Sequence, residues 1–134
     1  MHTLEHMPGW FARVSTALRR HRISGVQLHL TAMINYGAFE WYELPKVEWP
    51  SEFRLVVCDG PPDLGGRYGL LPVVGSQLPA GATILLDDAT HPDEMVVRRR
   101  WQAERRLREE VHEQPGRAYA VMTLDGQAVG NSAM

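Results

Sequence analysis

The stretch Phe53-Arg-Leu-Val-Val-Cys-Asp-Gly-Pro-Pro62 decides the fold that we expect from this sequence. An apolar run over residues 53–58 ends at Asp59, and a second apolar run over residues 83–86 ends in the same way at Asp87-Asp88. Continuous apolar runs are typical of parallel strands that helices cover on both faces. We therefore predict two central parallel strands with acidic groups at their carboxyl ends. In open α/β sheets this is the edge where ligands bind.

Size and composition predict one globular domain. A chain of 134 residues with 44% hydrophobic residues buries roughly two thirds of its unfolded surface, enough for one core. The net charge of −2 gives no reason to expect binding to nucleic acid or to anionic membranes. No apolar run approaches the roughly 20 residues of a membrane span. The lone Cys58 has no disulfide partner, so we expect a reducing, cytoplasmic setting.

Patterns along the chain predict alternating helices and strands. Apolar residues recur at helical spacing after prolines that suit a first helical turn, and alternate with polar residues where strands are expected. We expect one α/β domain over residues 1–124 and a polar tail over residues 125–134. The predicted elements are a helix at 8–21, a strand near a sheet edge at 26–30, a helical stripe from Tyr68 to Leu78, a helix from residues 90–94 to at least Trp101, and a hairpin of strands 107–113 and 118–124.

The two strand-end stretches and this element order resemble class I S-adenosylmethionine-dependent methyltransferases. Residues 53–62 and 82–89 look like the fourth and fifth strands of that family. The resemblance implies a Rossmann-like sheet that is mostly parallel and ends in an antiparallel hairpin. It also implies an enzyme that moves a methyl group from S-adenosylmethionine to an oxygen of a small-molecule acceptor, either with Mg²⁺ or without it.

The resemblance assigns residues to the methyl donor. Glu5 matches the acid that holds the ribose hydroxyls, and a carboxylate suits that task because it can accept two hydrogen bonds at once. Thr31 and Ala32 follow the strand where such enzymes contact the adenine. Asp59 and Gly60 would face the methionine portion of the donor. Without the resemblance, Glu5 reads as an exposed acid near the terminus.

The acids at the strand ends also resemble the metal triad of catechol-type O-methyltransferases. In that comparison Asp59, Asp87 and Asp88 would be the metal ligands, because hard divalent cations prefer oxygen. An Asp stands where that triad often has an Asn, and no lysine follows Asp59 as a general base. The alternative is that Asp88 caps the next helix and Asp87 bonds to the backbone. Asp59, Asp87 and Asp88 are the candidates for orienting the acceptor, and His91 and Asp88 are the candidate bases. His91 also suits a polar helix start.

The family's first strand and its glycine-rich turn have no match before Glu5. The resemblance is therefore to an N-terminally truncated form of the fold. We expect the chain alone, as a monomer, to show no appreciable methyl transfer, and to self-associate or to bind a partner chain that completes the sheet. The rival function is a non-catalytic methyltransferase remnant that serves as an interaction or oligomerisation module. Metal-assisted hydrolysis is a third, weaker reading, because no His lies at metal-ligand spacing.

Overall fold

The computed structural model describes residues 1–62 and 66–128, which form two compact units that divide between Glu48 and Trp49. Each unit has its own strands and is described by itself. The elements are β1 (His2–Glu5), α1 (Pro8–Arg20), β2 (Gln27–Leu30), β3 (Met33–Asn35), β4 (Glu40–Tyr42), β5 (Leu55–Cys58), α2 (Leu70–Val74), β6 (Thr83–Asp87), α3 (Pro92–Glu104), β7 (Arg105–Gln114) and β8 (Arg117–Ala128).

The first unit begins with a strand, helix, strand segment. β1 and β2 pair in parallel, from His2 opposite Gln27 to Glu5 opposite Leu30. α1 connects them and has a proline at its start, where the missing N–H costs no hydrogen bond. The helix predicted at 8–21 and the strand predicted at 26–30 are thus both present, each within one residue of its expected bounds.

A short hairpin of β3 and β4 was not predicted. The two strands pair antiparallel, and the side chains of Trp41 and Tyr42 are buried. Tyr36 stacks on Phe39 with ring centroids 5.2 Å apart, and its hydroxyl donates a hydrogen bond of 2.7 Å to the Tyr42 carbonyl. Tyr36 and Phe39 therefore pack within the hairpin, while the ring of Tyr42 also lies beside His6, with ring centroids 6.0 Å apart.

The second unit contains a mixed sheet in the order β5-β6-β8-β7. β5 and β6 are parallel, whereas β8 runs antiparallel to both β6 and β7. The C-terminal hairpin is confirmed, and Gly116 makes its turn with a φ of 74° that suits glycine. The mostly parallel sheet that we predicted is not found in this unit, where two of the three strand pairs are antiparallel.

β8 continues past the end that we expected for it. The second hairpin strand was predicted to stop at Leu124, but β8 runs to Ala128. Residues 125–128 therefore continue the strand. The remaining part of the predicted tail, 129–134, lies outside the described residues.

One face of the mixed sheet carries the core of the second unit. Ile84 and Leu86 of β6 and Met122 of β8 are fully buried, and so is Trp101 of α3. The indole N–H of Trp101 donates a 2.9 Å hydrogen bond to the Tyr68 carbonyl, which ties α3 to the segment before α2. That segment is less regular than predicted, because 3₁₀ turns at Gly66–Gly69 and Gly75–Gln77 flank a short α2.

The structure corrects our prediction that β5 is a central strand. Among the described residues, β6 is the only strand paired with β5, so β5 lies at an edge of the sheet. Leu55 is 59% exposed and Val57 is 66% exposed, whereas Cys58 is buried. The apolar run therefore predicted the strand correctly, but the face of β5 that carries Leu55 and Val57 is exposed.

Cys58 behaves as a small core hydrophobe. Its side chain is 5% exposed, and burial raises the pKa of its thiol to about 12. A thiol with so high a pKa carries almost no thiolate at neutral pH and is a poor nucleophile. Within residues 1–62 and 66–128, no helix has the length and apolar character needed to cross a bilayer.

Candidate functional site

The ends of β5 and β6 bring three carboxylates together. Because Cys58 pairs with Leu86 in a parallel register, Asp59 and Asp87 follow at the same edge of the sheet. Asp88 comes next, in a left-handed turn with a φ of 53°. One carboxylate oxygen from each of these three residues lies within 4.8 Å of the others. The predicted acidic cluster therefore exists, and its side chains are exposed.

A buried arginine lies beside this cluster, and the sequence reading missed it. Arg67 is only 5% exposed, and its guanidinium donates to the Asp87 carbonyl at 2.6 Å. The same guanidinium lies 3.4 Å from Asp88 Oδ2 and 3.8 Å from Asp59 Oδ1. Its Nε lies 3.7 Å from Oε1 of Glu94, which is also buried. Arg67 thus supplies a fixed positive charge among four acids.

The local backbone explains how Arg67 reaches this position. Gly66 precedes it, and a Cβ at Gly66 would lie 2.9 Å from Pro61 Cγ, closer than real side chains come. Only glycine lets the chain pass so close to the turn that follows β5. No simple sequence signal marked Arg67, because its burial depends on residues from two other segments.

The neighbours of Asp59 change the pKa of its carboxyl group. Partial burial, a hydrogen bond with Asp87 and the negative charge of Asp87 raise the pKa of Asp59, while Arg67 opposes the shift. Two carboxylates this close share a proton more readily than isolated ones. A carboxylate whose pKa moves toward neutrality is also a better proton acceptor, which suits a general base.

This shift predicts how Asp59→Asn changes stability with pH. A raised folded pKa means that the contribution of Asp59 to stability is complete below its unfolded pKa and is lost as pH rises through the folded pKa. The asparagine cannot ionise, so the variant should unfold at a higher temperature than the wild type near neutral pH. The two proteins should converge at about pH 3, below the ordinary carboxyl pKa. Thermal unfolding followed across pH checks this, and a less stable variant at neutral pH would show that attraction to Arg67 outweighs repulsion by Asp87.

His91 lies next to the cluster, just before α3. Its Nδ1 is 2.9 Å from Glu94 Oε2 and 3.4 Å from the Asp93 amide nitrogen. The contact with Glu94 requires a proton on Nδ1, whereas the contact with the Asp93 amide requires a lone pair on the same atom. The contact with Glu94 is the shorter of the two, which favours an Nδ1 proton that is donated to Glu94. Glu94 therefore connects His91 to Arg67. The position at the helix start, which we considered as an alternative, is the one that His91 occupies.

The predicted donor residues of the first unit form a hydrogen-bonded turn. Glu5 Oε1 accepts from the amides of His6 and Met7 at 3.0 and 2.9 Å, and so fixes the connection from β1 to α1. Thr31 donates its amide to the Glu5 carbonyl at 2.9 Å and its hydroxyl to the Glu43 carbonyl. The carbonyl of Ala32 accepts from the Glu43 amide at 2.8 Å. Glu5 is thus more than an exposed terminal acid, because it organises the chain around it.

Comparison with known proteins identifies the fold. No family model matches the sequence, and no curated protein matches it either. The structure is similar to the crystal structure of a methyltransferase from Pyrococcus furiosus, with a TM-score of 0.62 and 16% sequence identity. The similarity covers 94% of this chain and 62% of that one, so the chain spans less than two thirds of its neighbour's length. The chain therefore has a methyltransferase fold.

Proposed function

We propose that this chain serves S-adenosylmethionine-dependent methyl transfer, as a class I enzyme that methylates an oxygen of a small molecule. The observation that carries the proposal is the similarity in fold to a methyltransferase over 94% of the chain. The acids at the ends of β5 and β6 support it, because they gather at the edge of the sheet where α/β folds bind ligands. The proposal includes a cytoplasmic setting, which the free thiol of Cys58 supports.

In the proposed reaction the protein aligns the methyl donor with the acceptor and removes one proton from the acceptor hydroxyl. Methyl transfer from a sulfonium is an in-line displacement, so holding donor and acceptor in line supplies much of the rate. The acceptor hydroxyl must lose its proton, and we assign this to Asp59, whose raised pKa suits it. Asp88 and His91 are the other candidates for orienting the acceptor. Arg67 keeps the acids in place, since it bonds to the backbone carbonyls of Asp59 and Asp87.

The residues proposed for the donor fit a nucleoside in their chemistry. Glu5 uses one carboxylate oxygen for two backbone amides, and a carboxylate has further lone pairs for ribose hydroxyls. Thr31 and Ala32 follow β2 and are assigned to the adenine. Asp59 and Gly60 follow β5 and are assigned to the methionine portion. When bound, the donor supplies the activated methyl group.

Binding of S-adenosylhomocysteine, the demethylated donor, tests this assignment. Glu5→Ala should weaken binding by about 1 to 3 kcal/mol, the range for hydrogen bonds to a charged group. Isothermal titration calorimetry measures the change, with Glu48→Ala, which alters an exposed acid of the same unit, as the control. Equal affinity in wild type and Glu5→Ala would remove Glu5 from the donor site. Absence of any binding would count against the proposed function itself.

Mg²⁺ forms a separate part of the proposal. Asp59, Asp87 and Asp88 offer carboxylate oxygens at a spacing that suits a hard divalent cation, so they would be its ligands. Arg67 already places a positive charge within 4 Å of Asp59 and Asp88, and repels a second cation. The ligand set therefore fits Mg²⁺ in kind and spacing, but the binding that we expect is weak. The cation would help to hold the acceptor oxygen.

A metal titration tests Mg²⁺ binding separately from binding of the methyl donor. Calorimetry with Mg²⁺ or Mn²⁺ should show weak binding to the wild type that Asp87→Asn removes, because that variant loses one of three charged ligands. Asp125→Asn changes an acid on β8 outside the cluster and serves as the matched control. If wild type and Asp87→Asn bind equally, the metal does not use Asp87 and the proposed ligand set is wrong. If neither binds, Arg67 alone balances the charge of the acids.

A second candidate function is an interaction module without catalysis. The exposed side chains of Leu55 and Val57 on β5 favour it, because soluble proteins rarely leave an apolar strand open at a sheet edge. Failure to bind S-adenosylhomocysteine, together with self-association, would favour this candidate over methyl transfer.

A further inference from the structure

The two edges of the mixed sheet differ in their protection against pairing. β7, at one edge, is rich in charged side chains, and such charges keep an edge strand from adding another strand. β5, at the other edge, reads Leu-Val-Val-Cys and has neither a charge nor a proline within its bounds. The charged residues of β7 are Arg105, Arg106, Arg108, Glu109, Glu110 and Glu113. Because β5 carries no such charges, its edge can still pair with another strand.

The backbone of β5 has hydrogen-bonding groups that point away from β6. The amide of Thr83 donates to the Arg54 carbonyl at 2.9 Å, so the backbone groups of Arg54 point toward β6. Successive residues of a strand direct these groups to opposite sides, so the N–H and C=O of Leu55 and Val57 point outward. Among the described residues, no other strand pairs with this side of β5. Two donors and two acceptors are therefore available at this edge.

Side chains beside this edge form an apolar row on the uncovered face of the sheet. Val57, Leu85 and Val121 lie side by side in register across β5, β6 and β8. Val57 is 66% exposed and Leu55 is 59% exposed, while the next residue of the row, on β7, is the charged Glu110. The apolar surface is thus concentrated at β5 and ends before the opposite edge.

Charge decides which way a second strand would run. Arg54 precedes β5 and Asp59 follows it, with side chains that are 83% and 70% exposed. Arg54 is ion-paired with Glu52 at 3.1 Å, so this end of β5 is close to neutral, whereas Asp59, Asp87 and Asp88 make the other end acidic. A parallel copy of β5 would place the two acidic ends side by side. An antiparallel copy keeps them apart and places each beside the Arg54 end of the other copy. The antiparallel arrangement is therefore the attractive one.

We propose that β5 is a dimerisation edge, at which a second copy of this chain pairs antiparallel about a two-fold axis through Val56. In that register Leu55 of each copy lies opposite Val57 of the other, which pairs their outward backbone groups in four hydrogen bonds. It also sets the exposed side chains of Leu55 and Val57 against each other across the axis. A two-fold axis makes the contact self-complementary, as in most homodimers. The product is a continuous eight-stranded sheet.

Analytical ultracentrifugation of the purified chain over a range of concentrations tests this proposal. We expect a reversible dimer with a dissociation constant in the micromolar range, because two four-residue strands make a small interface. Val57→Lys adds a charge to the edge and should weaken dimerisation at least about tenfold, since edge lysines block strand addition. Val96→Lys makes the same change at a residue of α3 that is 53% exposed, and should leave the dimer unchanged.

Hydrogen exchange gives an independent measure of dimerisation at the amides of β5. Exchange at the amides of Leu55 and Val57 should slow as protein concentration rises in the wild type, and should not depend on concentration in Val57→Lys. A wild type that is monomeric at all concentrations overturns the proposal. So does a Val57→Lys variant that dimerises as well as Val96→Lys, since another surface then makes the contact. Neither result depends on donor binding, so the proposed function stands or falls separately.

Discussion

Replacement of Arg67 by methionine should lower the free energy of unfolding by about 3 to 5 kcal/mol. Methionine replaces the aliphatic part of the arginine side chain but removes the positive charge and the donors to the carbonyls of Asp59 and Asp87. Glu94 is only 7% exposed and would remain buried without its cation. Glu94 would keep only its contact with His91, and the loss of the guanidinium beside this buried acid is the main source of the destabilisation.

Urea denaturation followed by circular dichroism measures this effect. Arg99→Met removes an exposed arginine of α3 and should change stability by less than about 0.5 kcal/mol, as is usual for surface substitutions. Arg67→Lys should recover part of the stability, because it restores the charge but not the forked donor geometry. If Arg67→Met were as stable as Arg99→Met, the acids would not need the guanidinium, and our account of the cluster would be wrong.

Trp101→Ala should have an effect of similar size, about 3 to 5 kcal/mol. Trp101 is fully buried, so its removal leaves a cavity in the core of the second unit. The substitution also leaves the Tyr68 carbonyl without the indole N–H that donates to it at 2.9 Å. Loss of the packing and loss of the hydrogen bond act in the same direction.

Comparison with two other variants divides the effect of Trp101→Ala into its parts. Trp101→Phe keeps most of the ring volume and loses the hydrogen bond, so it should cost clearly less than Trp101→Ala. Trp10→Ala removes an indole that is 52% exposed on α1 and should cost much less than either. A loss below about 1 kcal/mol for Trp101→Ala in chemical denaturation would contradict the burial that the structure shows.

Local patterns predicted those parts of the fold that nearby residues determine. The C-terminal hairpin follows from alternation on both sides of a turn at Gly116, and all of its determinants lie within a few residues. The meeting of Asp59 with Asp87 follows from two apolar runs that end in acids, because parallel strands bring their carboxyl ends to one edge. These predictions needed no knowledge of the rest of the chain.

Features that depend on distant segments were not predictable in this way. The apolar run of β5 indicates a strand, but whether its faces are covered depends on which other strands and helices pack beside it. Arg67 appears in the sequence as an ordinary charge, and its burial comes from acids 8 to 27 positions away in the chain. The hairpin of β3 and β4 has strands of three residues, too short to show a period.

A nuclear magnetic resonance titration of the isotopically labelled chain with S-adenosylmethionine tests whether this fold binds the methyl donor. We expect concentration-dependent shifts of the backbone amides of Glu5, Thr31, Ala32, Asp59 and Gly60. Adenosine should shift the first three of these amides and not the last two, because it lacks the methionine portion. No shifts at millimolar donor, or shifts confined to other residues, would contradict the proposal that this methyltransferase fold binds the methyl donor.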